Sequence, residues 1–404
     1  MQQNGNDGCE NVTESRDRSD VNALGPACAK LIAMYFTQLH AIPENDAWWG
    51  QGFTDWENVK SASPQFSGHY QPRIPLAGIY YDQSQLDTLR HQIDLAKQYG
   101  VYGFCHYHYW FDGKQLLETP TNLILAHPEI DFPFCLSWAN ETWSRRWDGH
   151  DHLVLIKQTH PPTKESWKKH YDYLITAWKD RRAIKLDGKP VFVIYRPQRI
   201  IKIDEMLAYW RELALQDGLP GIYFIFQSQS ELPNRSCLNS FDAVFQFQPF
   251  EATNSPGYSQ RSVFYSIFLQ LMRRFPERVQ DIFRGIRTRV AQGLTFHDYE
   301  TVWREIVKIR PDKRLTTFPG AFVDWDNTSR YKNRATVFNG ATPDLFLKWF
   351  SKLVKSMPER KLPEDFIFIN AWNEWSEGAY LEPDEKFGYK YLEAVRGVLW
   401  QRHL

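Results

Sequence analysis

The sequence predicts an α/β fold: a single (β/α)8 barrel of the TIM type, with long βα loops and a helical insertion near 250–310. Three observations predict it. Eight short apolar, β-prone runs alternate with helical patterns over residues 31–400. Polar side chains collect just after nearly every run, where a barrel keeps its chemistry. The last run, 366–370, ends within a few residues in two acids, Glu374 and Glu377, set among Trp372, Asn373 and Trp375. A doubly wound open sheet is the competing architecture. It calls for a glycine-rich phosphate turn after the first strand, and QLHAIP at 38–43 is not one.

Each element has a local reason. The run LIAMYF at 31–36 is the first strand, followed by a long aromatic loop. Leu86, Leu89, Ile93 and Ala96 recur at helical spacing, which predicts an amphipathic helix over 83–99 stopped by Gly100. Strand two is 101–110, and a Leu-rich helix follows to about 127. Strand three, 132–138, is followed by a helix near 163–180 and by strand four at 188–197. Met206, Leu207, Trp210, Leu213 and Ala214 share one side of a helix over 204–217. Strands five and six are 222–226 and 243–248. The segment 250–310 is too long for one crossover and reads as a mainly helical insertion. It carries Arg273, Arg274, Arg278, Arg284, Arg287 and Arg289. Such a patch is ordinarily a solvated face; the alternative is a dock for an anionic lipid surface or partner. Strand seven runs from about Leu315 toward Asp324, and a helix over 343–357 leads to strand eight and a last helix.

Composition narrows the function classes. The 404 residues are 43% hydrophobic with a formal net charge of +0, which supplies a large core and argues against nucleic acid as a partner. The unusual figure is 16% aromatic residues, including 16 Trp, since indole faces cover the apolar faces of sugar rings. The five cysteines are scattered with no CxxC, so Cys105 and Cys135 read as small buried hydrophobes. Residues 1–29 are polar and expected to be a disordered tail, with one domain over 30–404. With no apolar leader in the first twenty residues and no membrane-length apolar window, a cytoplasmic location is expected, with peripheral contact at the inner membrane through the Arg-rich segment.

If the strands close into a barrel, their carboxyl ends meet at one mouth. Gln38 and His40 follow strand one, and the loop beyond adds Trp49 and Trp56. His106, His108 and Trp110 alternate in strand two. Trp138, Asn140 and Glu141 end strand three, with Trp147 further on. Tyr195 and Arg196 end strand four; Gln227, Gln229, Gln246 and Gln248 follow strands five and six. Asp324, Trp325 and Asp326 end strand seven; Asn373, Glu374, Trp375 and Glu377 end strand eight. Two chemistries compete there. His106 and His108 with Asp324 or Asp326 could hold a metal, although no third clustered ligand is evident. The other is paired carboxylates on a sugar, Glu374 and Glu377, with the remaining residues as substrate contacts and no metal or cofactor. Glu141 is a third candidate acid, or a structural partner for Arg145 or Arg146.

The motifs WWGQGFTDW (48–56), GHYQP (68–72), YHYWF (107–111), WANETW (138–143), RWDG (146–149), DWDNT (324–328) and NEWSEG (373–378) carry a resemblance. Together they resemble the WbsX-type proteins of polysaccharide biosynthesis loci, described as having a glycoside hydrolase family 99-like domain, and the likeness covers roughly residues 31–400. It implies that Glu374 is the base that deprotonates a substrate 2-hydroxyl. Glu377 would be the general acid and then base, giving retention through a 1,2-anhydro sugar on α-linked, manno-configured substrates. One departure stands inside the motif: Ser376 occupies the place where the hydrolases have His. In the biosynthetic branch a Tyr often stands at the His106 position. The resemblance leaves hydrolysis and glycosyl transfer open. For transfer the partners would be a lipid-linked saccharide or other glycan and a nucleotide sugar, with Arg330, Lys332 and Arg334 as a phosphate seat. A glycan-binding barrel without turnover is the non-enzymatic alternative.

Overall fold

A computed structural model describes residues 28–145, 150–229, 239–255, 257–258, 293–311 and 314–400. Eight parallel strands form the centre: β1 (Lys30–Tyr35), β2 (Val101–Phe111), β3 (Phe134–Trp138), β4 (Lys189–Ile194), β5 (Tyr223–Ser228), β6 (Ala243–Gln246), β7 (Thr316–Phe318 continuing as Gly320–Phe322) and β8 (Phe366–Asn370). They pair in sequence order, and β8 returns to β1, in register from Lys30 opposite Phe366 to Ala33 opposite Ile369. Strands buried on both faces read as continuous apolar runs, which is why all eight were visible as such.

Pro319 divides β7. The first half pairs with β6 and the second with β8, so the two halves share the work of closing the ring. Pro319 cannot donate to a ladder, but its carbonyl accepts from Phe368 N at 3.1 Å. Gly320 has to be glycine, because a Cβ there would lie 1.7 Å from the Gln246 carbonyl oxygen.

Helices cover the ring: α1 (Leu86–Gln98), α2 (Thr119–Ala126), α3 (Lys164–Lys179), α4 (Ile203–Gln216), α5 (Tyr299–Ile306), α6 (Pro343–Lys355) and α7 (Lys390–Leu399). Thr163 caps α3 by accepting from Ser166 N, and Thr342 caps α6 from Leu345 N, with Pro343 in the first turn. The buried side of α3 runs Trp167, His170, Tyr171, Leu174, Ala177 and Trp178, a stripe at helical spacing. Trp210 of α4 is fully buried against Phe192, Phe224 and Trp178, and truncating such a side chain to alanine costs about 3–5 kcal/mol.

Between β6 and β7 the described residues form a short helix, Phe250–Asn254, a strand, Thr295–Asp298, and α5. That strand pairs in parallel with Thr336–Asn339, an element sequence reading did not anticipate. The Arg-rich patch at 273–289, Trp147, and the tail through residue 27 lie outside the described residues. At the edge of that tail, Ala29 is buried and Cys28 N donates to Leu399 O. Among the described residues no helix is long and apolar enough to cross a membrane.

Candidate active site

The turn after β8 builds the site. Asn373–Glu374 pairs antiparallel with Ala379–Tyr380, and Trp375–Glu377 forms one 3₁₀ turn between them. Residues three apart eclipse on such a turn, so Glu374 and Glu377 project the same way. Gly378 ends it at φ +64°, where a Cβ would press on Asp326 N at 2.9 Å. Asn373 is fully buried: it accepts from Phe36 N at 2.8 Å and donates to Phe36 O at 3.0 Å, tying the turn to the end of β1.

One guanidinium reaches both acids. Arg330 Nη1 donates to Glu377 Oε1 at 2.6 Å and to Glu374 Oε1 at 3.4 Å. Its other side is held by Asp55, from Nη2 at 2.7 Å and Nε at 3.4 Å, and Phe36 lies beneath at 5.0 Å. Three carboxylates therefore surround one buried cation. Burial, then the charge of Glu377, pushes Glu374 up to about 8, while Arg330 opposes the rise. Burial likewise raises Glu377. Both carboxyls are therefore held above the ordinary carboxylate range, with Arg330 opposing burial at each.

Alternation along β2 decides which neighbours face these acids. His106 Nδ1 meets Thr121 Oγ1 of α2 at 3.1 Å, His108 Nε2 meets His170 Nε2 of α3 at 2.8 Å, and Trp110 stacks on His170 at 4.6 Å. Those three face the helices, not the mouth; burial holds both His106 and His108 near 3, neutral. Trp138 lies with them, edge-on to His170, and with Trp110 it lines a separate cavity bounded by His160, His170 and Trp210. Tyr107 and Tyr109, on the opposite face, belong to the acids. Burial raises the Tyr107 hydroxyl, with Glu374 adding to the effect, and Tyr109 accepts from Gln38 Nε2 at 3.2 Å. The expected placement of His106, His108, Trp110 and Trp138 at the mouth is corrected by strand parity: side chains two apart share a face, and that face packs on α2 and α3.

The other expected residues fall into three groups. Tyr195 feels the charge of Glu377, and its ring carries Arg196 at 4.5 Å. Arg196 pairs with Glu141 at 3.1 Å, the structural alternative for that acid with a different arginine, and Asn140 bridges Arg196 N and O. Trp56, Trp375 and Trp325 are buried walls. Trp375 stacks on Tyr380 at 3.8 Å and donates to Glu382 at 2.6 Å, and Trp56 Nε1 donates to Tyr81 O at 2.8 Å. Trp325 packs on Phe250 at 4.8 Å. His40 is buried, Gln248 Oε1 accepts from Ala252 N, and Trp49 is half-buried under Arg145 at 4.9 Å.

Asp324 and Asp326 make a second network. Arg73 Nη2 donates to Asp324 at 2.9 Å, while Asp326 Oδ2 takes Gln71 at 3.0 Å and His69 at 2.8 Å. Thr328 donates to its other oxygen at 2.7 Å. Asp326 N donates to Glu377 O at 2.7 Å, so this network braces the acid turn. With His106 and His108 on the helix side, the metal grouping that paired them with Asp324 or Asp326 does not form. Among the described residues no group of His, Cys, Asp or Glu is placed to hold a metal ion. Arg330 is no open phosphate seat, being enclosed by Asp55 and the two acids. Sequence reading missed Asp55, Arg73, Tyr107, Tyr109 and Glu382. Asp55 lay inside the WWGQGFTDW motif, the one signal that could have found it.

The class the structure defines is the parallel (β/α)8 barrel, here with a largely buried carboxylate pair on the turn after its last strand. Within that class, the chain belongs to the family described as Glycosyltransferase WbsX, whose model matches residues 31–395. WxcX proteins from two strains of Xanthomonas campestris pv. campestris, uncharacterized proteins, are 35% identical over 375 residues. That alignment covers 92% of this chain and 50% of theirs, so the chain spans about half the length of the curated relatives it matches. Among solved structures, a glycoside hydrolase-like protein aligns with a TM-score of 0.57 and 13% identity over 94% of this chain and 96% of its own. The GH99 endo-alpha-mannosidase from Bacteroides thetaiotaomicron aligns with 0.50 and 14% identity over 92% of this chain and 96% of its own. Both likenesses are of fold.

Proposed function

We propose that this chain is a retaining enzyme of cell-surface polysaccharide biosynthesis that cleaves or transfers an α-linked, manno-configured sugar through Glu374 and Glu377. The observation that carries this reading is the single Arg330 nitrogen shared by the two acids on one turn. In the proposed first step Glu374 takes the proton of the substrate 2-hydroxyl, and O2 attacks C1. The C1–glycosidic oxygen bond breaks, and Glu377 protonates the departing oxygen. In the second step Glu377 takes a proton from water or an acceptor hydroxyl, which opens the 1,2-anhydro ring at C1 and returns the proton to O2 through Glu374. Two inversions at C1 give net retention.

A proton shared between the two acids fits this division of labour. Arg330 lies nearer Glu377 than Glu374, which favours the proton on Glu374; in the proposed first step a 2-hydroxyl hydrogen bonded to Glu374 drives it across to Glu377. The family description favours a sugar hydroxyl over water as acceptor. The test is incubation with α-linked manno-oligosaccharides, with and without a second glycan acceptor, read by mass spectrometry and by the anomeric NMR signal. Products of retained configuration that fall at least about a hundredfold in Glu377→Gln are expected. Inverted products, or turnover untouched by that substitution, refute the reading.

A further inference from the structure

Residue 376 stands between the two acids, and its side chain turns into the protein. Ser376 is fully buried, and its hydroxyl donates to Asp55 Oδ2. Asp55 in turn takes Nη2 and Nε of Arg330, and Arg330 spends its remaining terminal nitrogen on Glu374 and Glu377. Ser329 closes the circuit by donating to Ser376 O, so the short helix Thr328–Tyr331 that carries Arg330 is stitched to the acid turn. Loops after β1, β7 and β8 thus meet in one continuous chain of hydrogen bonds.

We propose that Arg330 is a positioning residue for the carboxylate pair, fixed by Asp55 and Ser376, so that the serine serves the acids through this clamp and not by touching sugar. The proposal rests on Glu374 and Glu377 being the working pair. The clamp fixes how far each carboxylate leans on the cation, and with that the pH range over which the pair carries one proton. The charged and titratable groups that face the pair are Arg330 and Asp55, Tyr107 and Tyr109 from β2, and Tyr195 after β4.

Two substitutions in the full chain separate the clamp from a bystander role. Asp55→Asn removes the anion that competes for Arg330, so the cation falls wholly to the two glutamates. Their titration, followed by infrared difference spectroscopy and assigned with Glu374→Gln and Glu377→Gln, is expected to move down by about one pH unit, tenfold in the ionised fraction. Ser376→Ala keeps every charge. Its kcat on manno-oligosaccharides is expected to drop about tenfold with KM within about twofold, because the geometry of the acids changes and the sugar contacts do not. Carboxyls that titrate at the wild-type pH in Asp55→Asn overturn the proposal. So does a Ser376→Ala enzyme whose KM rises while kcat holds, since that serine would touch substrate directly. If Asp55→Asn does not fold, the kcat and KM of Ser376→Ala decide alone. Failure of the underlying reading looks different: Glu377→Gln then turns over like wild type, whatever the clamp variants do.

Discussion

Two acid pairs sit at the ends of neighbouring strands, and each faces one buried arginine. Glu374 and Glu377 follow β8 and share Arg330; Asp324 and Asp326 follow β7 and share Arg73. Burial raises Asp324 as it raises both glutamates, and Asp326 alone departs from them. Asp326 accepts from His69, Gln71, the Thr328 hydroxyl and Thr328 N; burial would raise it, but the His69 bond, the Arg73 charge and the Thr328 bond hold it well below the ordinary carboxylate range. Among the described residues Glu374 has one donor, Arg330 at 3.4 Å, and burial, then the charge of Glu377, pushes it up to about 8. At Asp326 the His69 bond, the Arg73 charge and the Thr328 bond together outweigh burial; at Glu374 one long bond to Arg330 does not.

The largest expected effect comes from breaking the brace. Asp326→Asn leaves Arg73 and His69 facing one anion fewer, and urea denaturation should register a loss of about 3 kcal/mol. A loss below about 1 kcal/mol means that the donors around Asp326 are not what holds this end of the barrel.

The second effect concerns pH. Glu374 keeps its proton longer in the folded chain than in the unfolded one. Its contribution to stability is therefore fully present below its ordinary value of 4.5 and is lost as pH rises toward about 8. Glu374→Gln should flatten that decline by up to about 1.4 kcal/mol per pH unit. Asp326 carries the reverse sign: its contribution is present above its ordinary value of 3.8 and is lost as pH falls. Denaturation curves between pH 5 and 8 that are parallel in wild type and Glu374→Gln erase the contrast between Glu374 and Asp326.

The smallest effect sharpens it. Thr328→Val removes one donor from Asp326 and leaves the backbone donor in place. Stability should fall by about 1 kcal/mol, and the Asp326 carboxyl should titrate higher, one step toward the condition of Glu374. NMR of the carboxyl carbon reads the second quantity; no movement there separates donor count from titration.

Much of this architecture was legible in the order of residues, and for physical reasons. Parallel strands with both faces buried announce themselves as apolar runs, so all eight were read where they stand, and the turn with both acids was read from its own motif. What could not be read was side. In β2 the run HYHYW alternates aromatic with aromatic, so neither polarity nor size tells one face from the other, and His106 and His108 were expected where Tyr107 and Tyr109 belong. Through-space partners were equally hidden. Asp55 and Arg330 lie 275 positions apart, and no spacing rule joins them. The strand at Thr295–Asp298 was missed because its partner, Thr336–Asn339, follows the next barrel strand.

The hydrogen-bonded circuit through Ser376, Asp55 and Arg330 also bears on how such a barrel can be re-engineered or can drift. The acid-bearing turn is no self-contained cassette: grafted alone onto another scaffold it would leave its arginine and its aspartate behind. Transplanting the turn means moving the loops after β1, β7 and β8 as one unit. Insertions are cheap elsewhere on the rim, but these three loops must change together or stay as they are.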